Sequence, residues 1–163
     1  MDSGSLRETQ RPLKERYRAE PAEARITLTA RGSETAGAAA CSVDIGRAVY
    51  EAQAHAGVGG AGTAPCSGDL LLGALAACAQ VTCQMVATAS GIPTSKIEVT
   101  VEGSLDLRGT LGIDREAPVG FDQIRVHFDV EGAGDRLDEL LEKTERYCVV
   151  LQTLLAAPRI AIT

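Results

Sequence analysis

The chain has 163 residues, a formal net charge of −6 and a pI near 4.9. That acidic balance argues against nucleic acid or an anionic membrane as a partner, and a sequence with no Trp, three Tyr and two Phe offers no aromatic platform for stacking bases. The length suits a single domain with a core of its own.

The opening segment, MDSGSLRETQRPLKERYRAE, is charged and lacks the apolar stretch of a secretory leader. Five cysteines are an odd number, so free thiols in a reducing compartment, the cytoplasm, are expected rather than a disulfide scaffold. Residues 1–24 mix charges of both signs with Pro12 and Pro21 and read as a charged N-terminal arm or tail, ordering against a partner subunit if an arm. Residues 25–163 are expected to form the domain. Arg25 to Ala30 alternates and predicts a strand, as does Ala40 to Ile45 through Cys41, Val43 and Ile45; Ala48 to Ala52 is a third candidate. Cys41 lies on the apolar side and reads as core filler.

The loop from His55 to Thr63 is rich in glycine. Gly57, Gly59 and Gly62 fit the G-x-G-x-x-G pattern, but no buried strand runs into them and the next helix opens only after Pro65. Nor does an acidic residue end a second strand about twenty positions on, so dinucleotide binding is rejected.

From Leu70 to Ser95 there is no charged residue. A membrane span must be weighed for such a run. Its Ala, Gly, Thr and Gln content, and the lack of flanking Trp, Tyr or basic clusters, favour a helix buried in a protein core. Ser67 as N-cap, Asp69 in the first turn, and Gly91 followed by Pro93 predict a helix from Gly68 to Ser90. Cys78 shares a face with Leu71, whereas Cys83 points about 140° away, so these two thiols serve different surfaces.

Ile97 to Leu107 then alternates, with Ile97, Val99, Val101, Leu105 and Leu107 on one side and Glu98, Thr100, Glu102, Ser104 and Asp106 on the other. Ile124 to Val130 repeats the pattern, and antiparallel pairing of the two is expected. His127 falls on the solvated side. Asp135 to Ala157 predicts a second long helix with Cys148 on its buried stripe; Pro158 stops it, and Ile160 to Thr163 reads as a short last strand. Strands covered by helices on one face give an α+β class, with antiparallel sheets packed on two long central helices.

If the two helices pack together, Cys78 and Cys148 come within disulfide reach. A thiol pair of this kind suits peroxide reduction, in which a thiolate attacks the O–O bond and a second thiol condenses with the resulting sulfenic acid. Walls of Leu and Val would favour an organic peroxide, because burying its alkyl part supplies affinity. A zinc site from Cys66, Cys78, Cys83 and Cys148 lacks any C-x2-C spacing.

Three stretches carry a resemblance: Gly59-Gly-Ala-Gly-Thr-Ala-Pro65 leading into Asp69-Leu-Leu-Leu-Gly-Ala-Leu-Ala-Ala-Cys78; Asp106-Leu-Arg-Gly109 with the Gly120-Phe121 turn; and Arg146-Tyr-Cys148-Val-Val-Leu-Gln-Thr-Leu154. In order and spacing they resemble the OsmC/Ohr family, the osmotically inducible and organic hydroperoxide resistance proteins. The resemblance implies an OsmC-like fold, an intertwined homodimer, and reduction of organic hydroperoxides to alcohols, with Cys78 as peroxidatic and Cys148 as resolving cysteine. It implies recycling by a small dithiol or a lipoylated protein, and no cofactor. The sequence departs from the family at several positions. Val149 stands where Pro commonly follows the second cysteine, which predicts a helix continuing through Cys148. The usual glutamate near the helix-opening Pro is absent or replaced by Asp69, with Cys66 inserted as a cap residue or a third redox thiol. Arg31 and Arg47 are the candidates for the arginine that steadies the thiolate, with His55 as a substitute. These departures leave open a relative that keeps the fold but binds a small apolar or electrophilic ligand with little or no turnover.

Overall fold

The computed structural model describes residues 3–34, 41–44, 54–60, 62 and 65–162. It is α+β: helix α1 (Ser3–Ala19), strands β1 (Arg25–Glu34) and β2 (Cys41–Asp44), helix α2 (Ser67–Ser90), strand β3 (Lys96–Asp106), the one-turn helix α3 (Leu107–Thr110), strand β4 (Phe121–Glu131), and helices α4 (Leu137–Tyr147) and α5 (Val149–Leu155). The strands hydrogen-bond in the order β2-β1-β3-β4. β1 and β2 are antiparallel, with Arg31 opposite Asp44 and Glu34 opposite Cys41. β3 and β4 are antiparallel as well: Ser95 donates to the Glu131 carbonyl just before β3 begins, and Gly103 near its end lies against Phe121 at the start of β4. The third candidate strand, Ala48 to Ala52, lies outside the described residues.

The chain folds as two compact units, the first drawn from the described residues of Met1–Thr29, Ile45–Leu72 and Glu102–Arg125. Tyr17, Ala24, Leu107 and Leu111 form its core, flanked by Leu13, Val58, Leu105 and Ile113. The stretch expected as an arm or tail thus contains α1 and a 3-10 turn over Pro21–Ala24, and places an aromatic ring in this core. Tyr17 is 1% exposed, and its hydroxyl donates to the Gly57 carbonyl at 2.8 Å, giving the polar end of a buried ring the partner it needs.

β3 keeps its alternation through Val101 and Gly103, then changes phase. Asp106, expected on the solvated side, is 2% exposed. It opens α3 by accepting the Arg108 N–H at 3.0 Å, and its carboxylate takes the Arg108 guanidinium in a fork, with Nη2 at 2.6 Å and Nε at 3.0 Å. Arg108 reaches on to Asp114 at 3.0 Å, and Arg25 stands 3.9 Å from Asp106 while bonding Asp122. A charge-assisted fork of this geometry offsets the loss of hydration, so the carboxylate takes the inward position. At Gly103 a Cβ would sit 2.6 Å from the Phe121 ring, so only glycine lets that ring come this close to the strand.

The second unit is drawn from the described residues of Ala30–Asp44, Gly73–Val101 and Val126–Thr163. Its core holds Cys83, Ala87, Ile92, Ile97, Ala133 and Leu140, with Val86, Phe128, Val130 and Leu137 packed around it. α2 ends as the sequence predicts, at Ser90. Gly91 adopts φ of 60°, its N–H donates to the Thr88 carbonyl, and the Ile92 N–H donates to that of Ala87, while Ile92 and Ala87 meet in the core. These paired bonds satisfy carbonyls that the helix end would otherwise strand. Arg136 donates to two more, those of Ser90 at 3.2 Å and Gly91 at 3.3 Å. By length and composition α2 could cross a membrane, and half of its most apolar window is buried inside the protein.

Two expectations fail at the C-terminal end. The predicted helix from Asp135 to Ala157 is a 3-10 turn (Gly134–Arg136), then α4, then a break at Cys148, then α5. The predicted last strand is absent from its described residues: Ile160 and Ile162 are 82% and 96% exposed, and neither carries strand structure. Alternation alone did not suffice, because no described strand offers them a ladder of hydrogen bonds.

Candidate functional site

α2 carries Cys78 half-buried near its middle, and the α4–α5 break carries Cys148 fully buried. Both belong to the second unit. Cys78 lies close enough to Cys148 to act on its thiol. Cys148 takes an extended conformation, φ −72° and ψ 101°, that ends one helix and begins the next. Its N–H still donates to the Thr144 carbonyl at 2.9 Å, and its own carbonyl accepts the Gln152 N–H at 2.9 Å. The turn therefore buries the Cys148 side chain while Tyr147 and Val149 on either side stay exposed.

The unbroken helix expected from Val149 does not form, although β-branched Val is not a helix breaker. The break is offset locally. The Glu145 carbonyl, four residues before Val149, is the acceptor a continuous helix would pair with the Val149 N–H; here it accepts the side-chain Nε2 of Gln152 at 2.9 Å. Thr144 also turns its hydroxyl back onto the Leu140 carbonyl at 2.7 Å, a bond that favours bending.

Burial pushes the Cys148 thiol up to about 11; the hydrogen bond and charge of Cys78 add to this, while the N–H groups of Leu151 and Val150 act against it. Cys148 is thus held as a neutral thiol at neutral pH. Cys78, less buried, has a second neighbour: Thr82 Oγ1, one helical turn on, lies 3.9 Å from its sulfur.

The remaining candidates lie elsewhere. Asp69 sits nine residues before Cys78 and is committed to the start of α2, where its carboxylate accepts the Cys66 N–H at 2.7 Å. α2 begins at Ser67 rather than Gly68, so the flanking residue is Cys66 and not Ser67. Asp69, three residues on, supplies the reciprocal half of a capping box. Burial raises the pKa of the Cys66 thiol, as expected for a weakly reactive sulfur. His55 caps the 3-10 turn Ala56–Val58, accepting the Gly57 N–H on Nδ1 at 2.9 Å. His55 and Cys66, with Leu71, Leu107, Val119 and Phe121, line an apolar cavity of about 500 Å³ in the first unit. Arg31, in the second unit, is exposed and paired with Glu98 at 3.3 Å. Arg47 lies outside the described residues. Cys83 packs in the second core.

Sequence reasoning missed Thr82 and the Asp106–Arg108 fork. The first was legible in the i, i+4 spacing to Cys78, which puts the two on one helix face. The second was hidden by an alternation that looked regular.

The family described as OsmC-like protein matches residues 60–163. No curated protein matches the chain.

Proposed function

The chain belongs to the OsmC-like protein family, and on that premise we propose that it is a thiol peroxidase that reduces organic hydroperoxides, with Cys78 as the attacking thiol and Cys148 as the resolving one. The observation that supports this is that half-buried Cys78 on α2 acts on the buried Cys148 thiol at the α4–α5 break. In the proposed cycle the Cys78 thiolate attacks the distal oxygen of the hydroperoxide. The O–O bond breaks, the alkoxide leaves as the alcohol after taking a proton, and Cys78 becomes a sulfenic acid. The Cys148 sulfur then attacks the Cys78 sulfur, water leaves, and a disulfide forms. Two electrons pass from the thiol pair to the peroxide. A dithiol or lipoylated protein returns them and is itself oxidised to a disulfide.

The asymmetry of the pair favours this division of roles. A buried thiol held neutral makes a poor first attacker. Once Cys78 is a sulfenic acid its charge is gone, and one of the influences holding the Cys148 proton disappears with it. The homodimer implied by the resemblance and a cytoplasmic setting with reduced thiols complete the reading.

The test is stoichiometric. Reduced protein mixed with one equivalent of an alkyl hydroperoxide loses two thiols and two mass units through a Cys78–Cys148 disulfide. Cys78→Ser abolishes the change, and Cys148→Ser stops at a sulfenic acid trapped by dimedone. Unreacted thiols at both Cys78 and Cys148 would sink the reading. The cavity beside Cys66 favours a second one, a relative that binds a small apolar or electrophilic ligand without turnover. Such a protein would keep its Cys78 and Cys148 thiols while taking up the alkyl compound.

A further inference from the structure

Three threonines within helices of this chain share one habit. Thr88 donates its hydroxyl to the Gln84 carbonyl at 2.9 Å, Thr144 to that of Leu140 at 2.7 Å, and Thr153 to that of Val149 at 2.7 Å, each four residues back. This back-bonding is the ordinary fate of a helical Thr hydroxyl. Thr82 departs from it. The residue four before it is Cys78, and the Thr82 hydroxyl lies 3.9 Å from that side chain's sulfur.

Among the described residues, the groups expected to steady the thiolate are placed otherwise, and Arg47 lies outside them. Asp69 is bonded to the Cys66 N–H, Arg31 is paired with Glu98, and His55 accepts from Gly57. Among the titratable groups of the described residues, the Cys148 thiol is under the influence of Cys78, and Lys143 and Tyr147 of α4 line a cavity together with Thr82.

We infer that Thr82 is a positioning residue for Cys78, donating its hydroxyl proton to the sulfur and stabilising the thiolate. An O–H bond to an anionic acceptor is stronger than one to a neutral thiol, so the contact favours the charged form. It also fixes the rotamer of the sulfur along the helix. The inference rests on the peroxidase reading for its place in turnover, but its test does not require peroxide.

The experiment follows iodoacetamide alkylation of Cys78 in the full-length reduced chain, resolved by peptide mass spectrometry across pH. Thr82→Val keeps the shape and removes the donor; alkylation at neutral pH is expected to slow about tenfold and its pH profile to move upward, the size of one charge-assisted hydrogen bond. Thr82→Ser restores the donor and is expected to stay within about twofold of the parent chain. Thr88→Val removes a hydroxyl from the same helix that does not face the sulfur, and leaves the Cys78 profile unchanged. Thermal melts by circular dichroism accompany each variant, and Thr82→Ala carries the same expectation should Thr82→Val fail to fold.

Equal rates for the parent and Thr82→Val, or equal slowing in Thr88→Val, would overturn the assignment. A parent chain that forms no disulfide with peroxide but shows the Thr82 effect would instead remove the peroxidase reading and leave this contact standing.

Discussion

Gln152 donates its side-chain amide to the carbonyl of Glu145 at 2.9 Å, and in doing so occupies the acceptor that a continuous helix would have assigned to Val149. Through this one bond the break at Cys148 leaves that carbonyl paired. The geometry is already that of a residue preceding proline, extended at ψ 101°, followed by the first position of a helix.

Val149→Pro should therefore be tolerated. The expected outcome is a gain of about 0.4–1 kcal/mol, from lost freedom in the unfolded chain, with Cys148 still buried. Urea denaturation measures it. A loss of about 3 kcal/mol, as for proline in a helix interior, would show that the chain runs unbroken through Cys148.

The Cys66–Asp69 bond makes a second prediction. Asp69→Ala strands the Cys66 N–H at the start of α2 and should cost about 1 kcal/mol, whereas Asp69→Asn keeps an acceptor and should cost less. Cys66, 7% exposed, should also react faster with a thiol reagent in the Ala variant as the first turn frays. A Cys78 alkylation rate that fell together with stability would mean that Asp69 serves the thiolate rather than the cap.

A third concerns acid. The Arg108 guanidinium holds the Asp106 carboxyl below its ordinary value of 3.8, and Arg136 first, then Lys143, pull Glu139 down from 4.5 to about 2. Both groups bind protons more weakly folded than unfolded. Their stabilisation is in full force above the unfolded values and is lost as the pH falls through about 4 toward 2. Asp106→Asn should cost about 3 kcal/mol at pH 7, because it leaves Arg108 without its buried partner, and should flatten the acid limb of stability against pH. Glu139→Gln should flatten it only slightly, since its partners are solvated and screened. Unfolding midpoints measured from pH 7 downward decide the matter; an unchanged acid limb in Asp106→Asn would show that the fork does not couple to folding.

Much of this was legible in advance. The uncharged run bounded by Asp69 and Gly91 announced α2 to within a residue, because caps and apolar content act locally. The alternations at Ile97–Val101 and Ile124–Val130 announced β3 and β4 for the same reason. The phase change at Asp106 was not legible, since a lone carboxylate on a strand reads as solvated until the fold brings a guanidinium to it. Nor was the break at Cys148: its stabilising partner, Gln152, lies beyond the break and accepts its role only when the turn has formed.

By itself, then, the sequence determined α2, β3 and β4 and that Cys78 and Cys83 stand on one helix, as periodicity and capping depend on neighbours a few residues apart. Only the tertiary structure decided that Cys148 is buried at a break between two helices and that the Thr82 hydroxyl lies beside the Cys78 sulfur. Those outcomes depend on desolvation and on hydrogen bonds between groups that packing alone brings together.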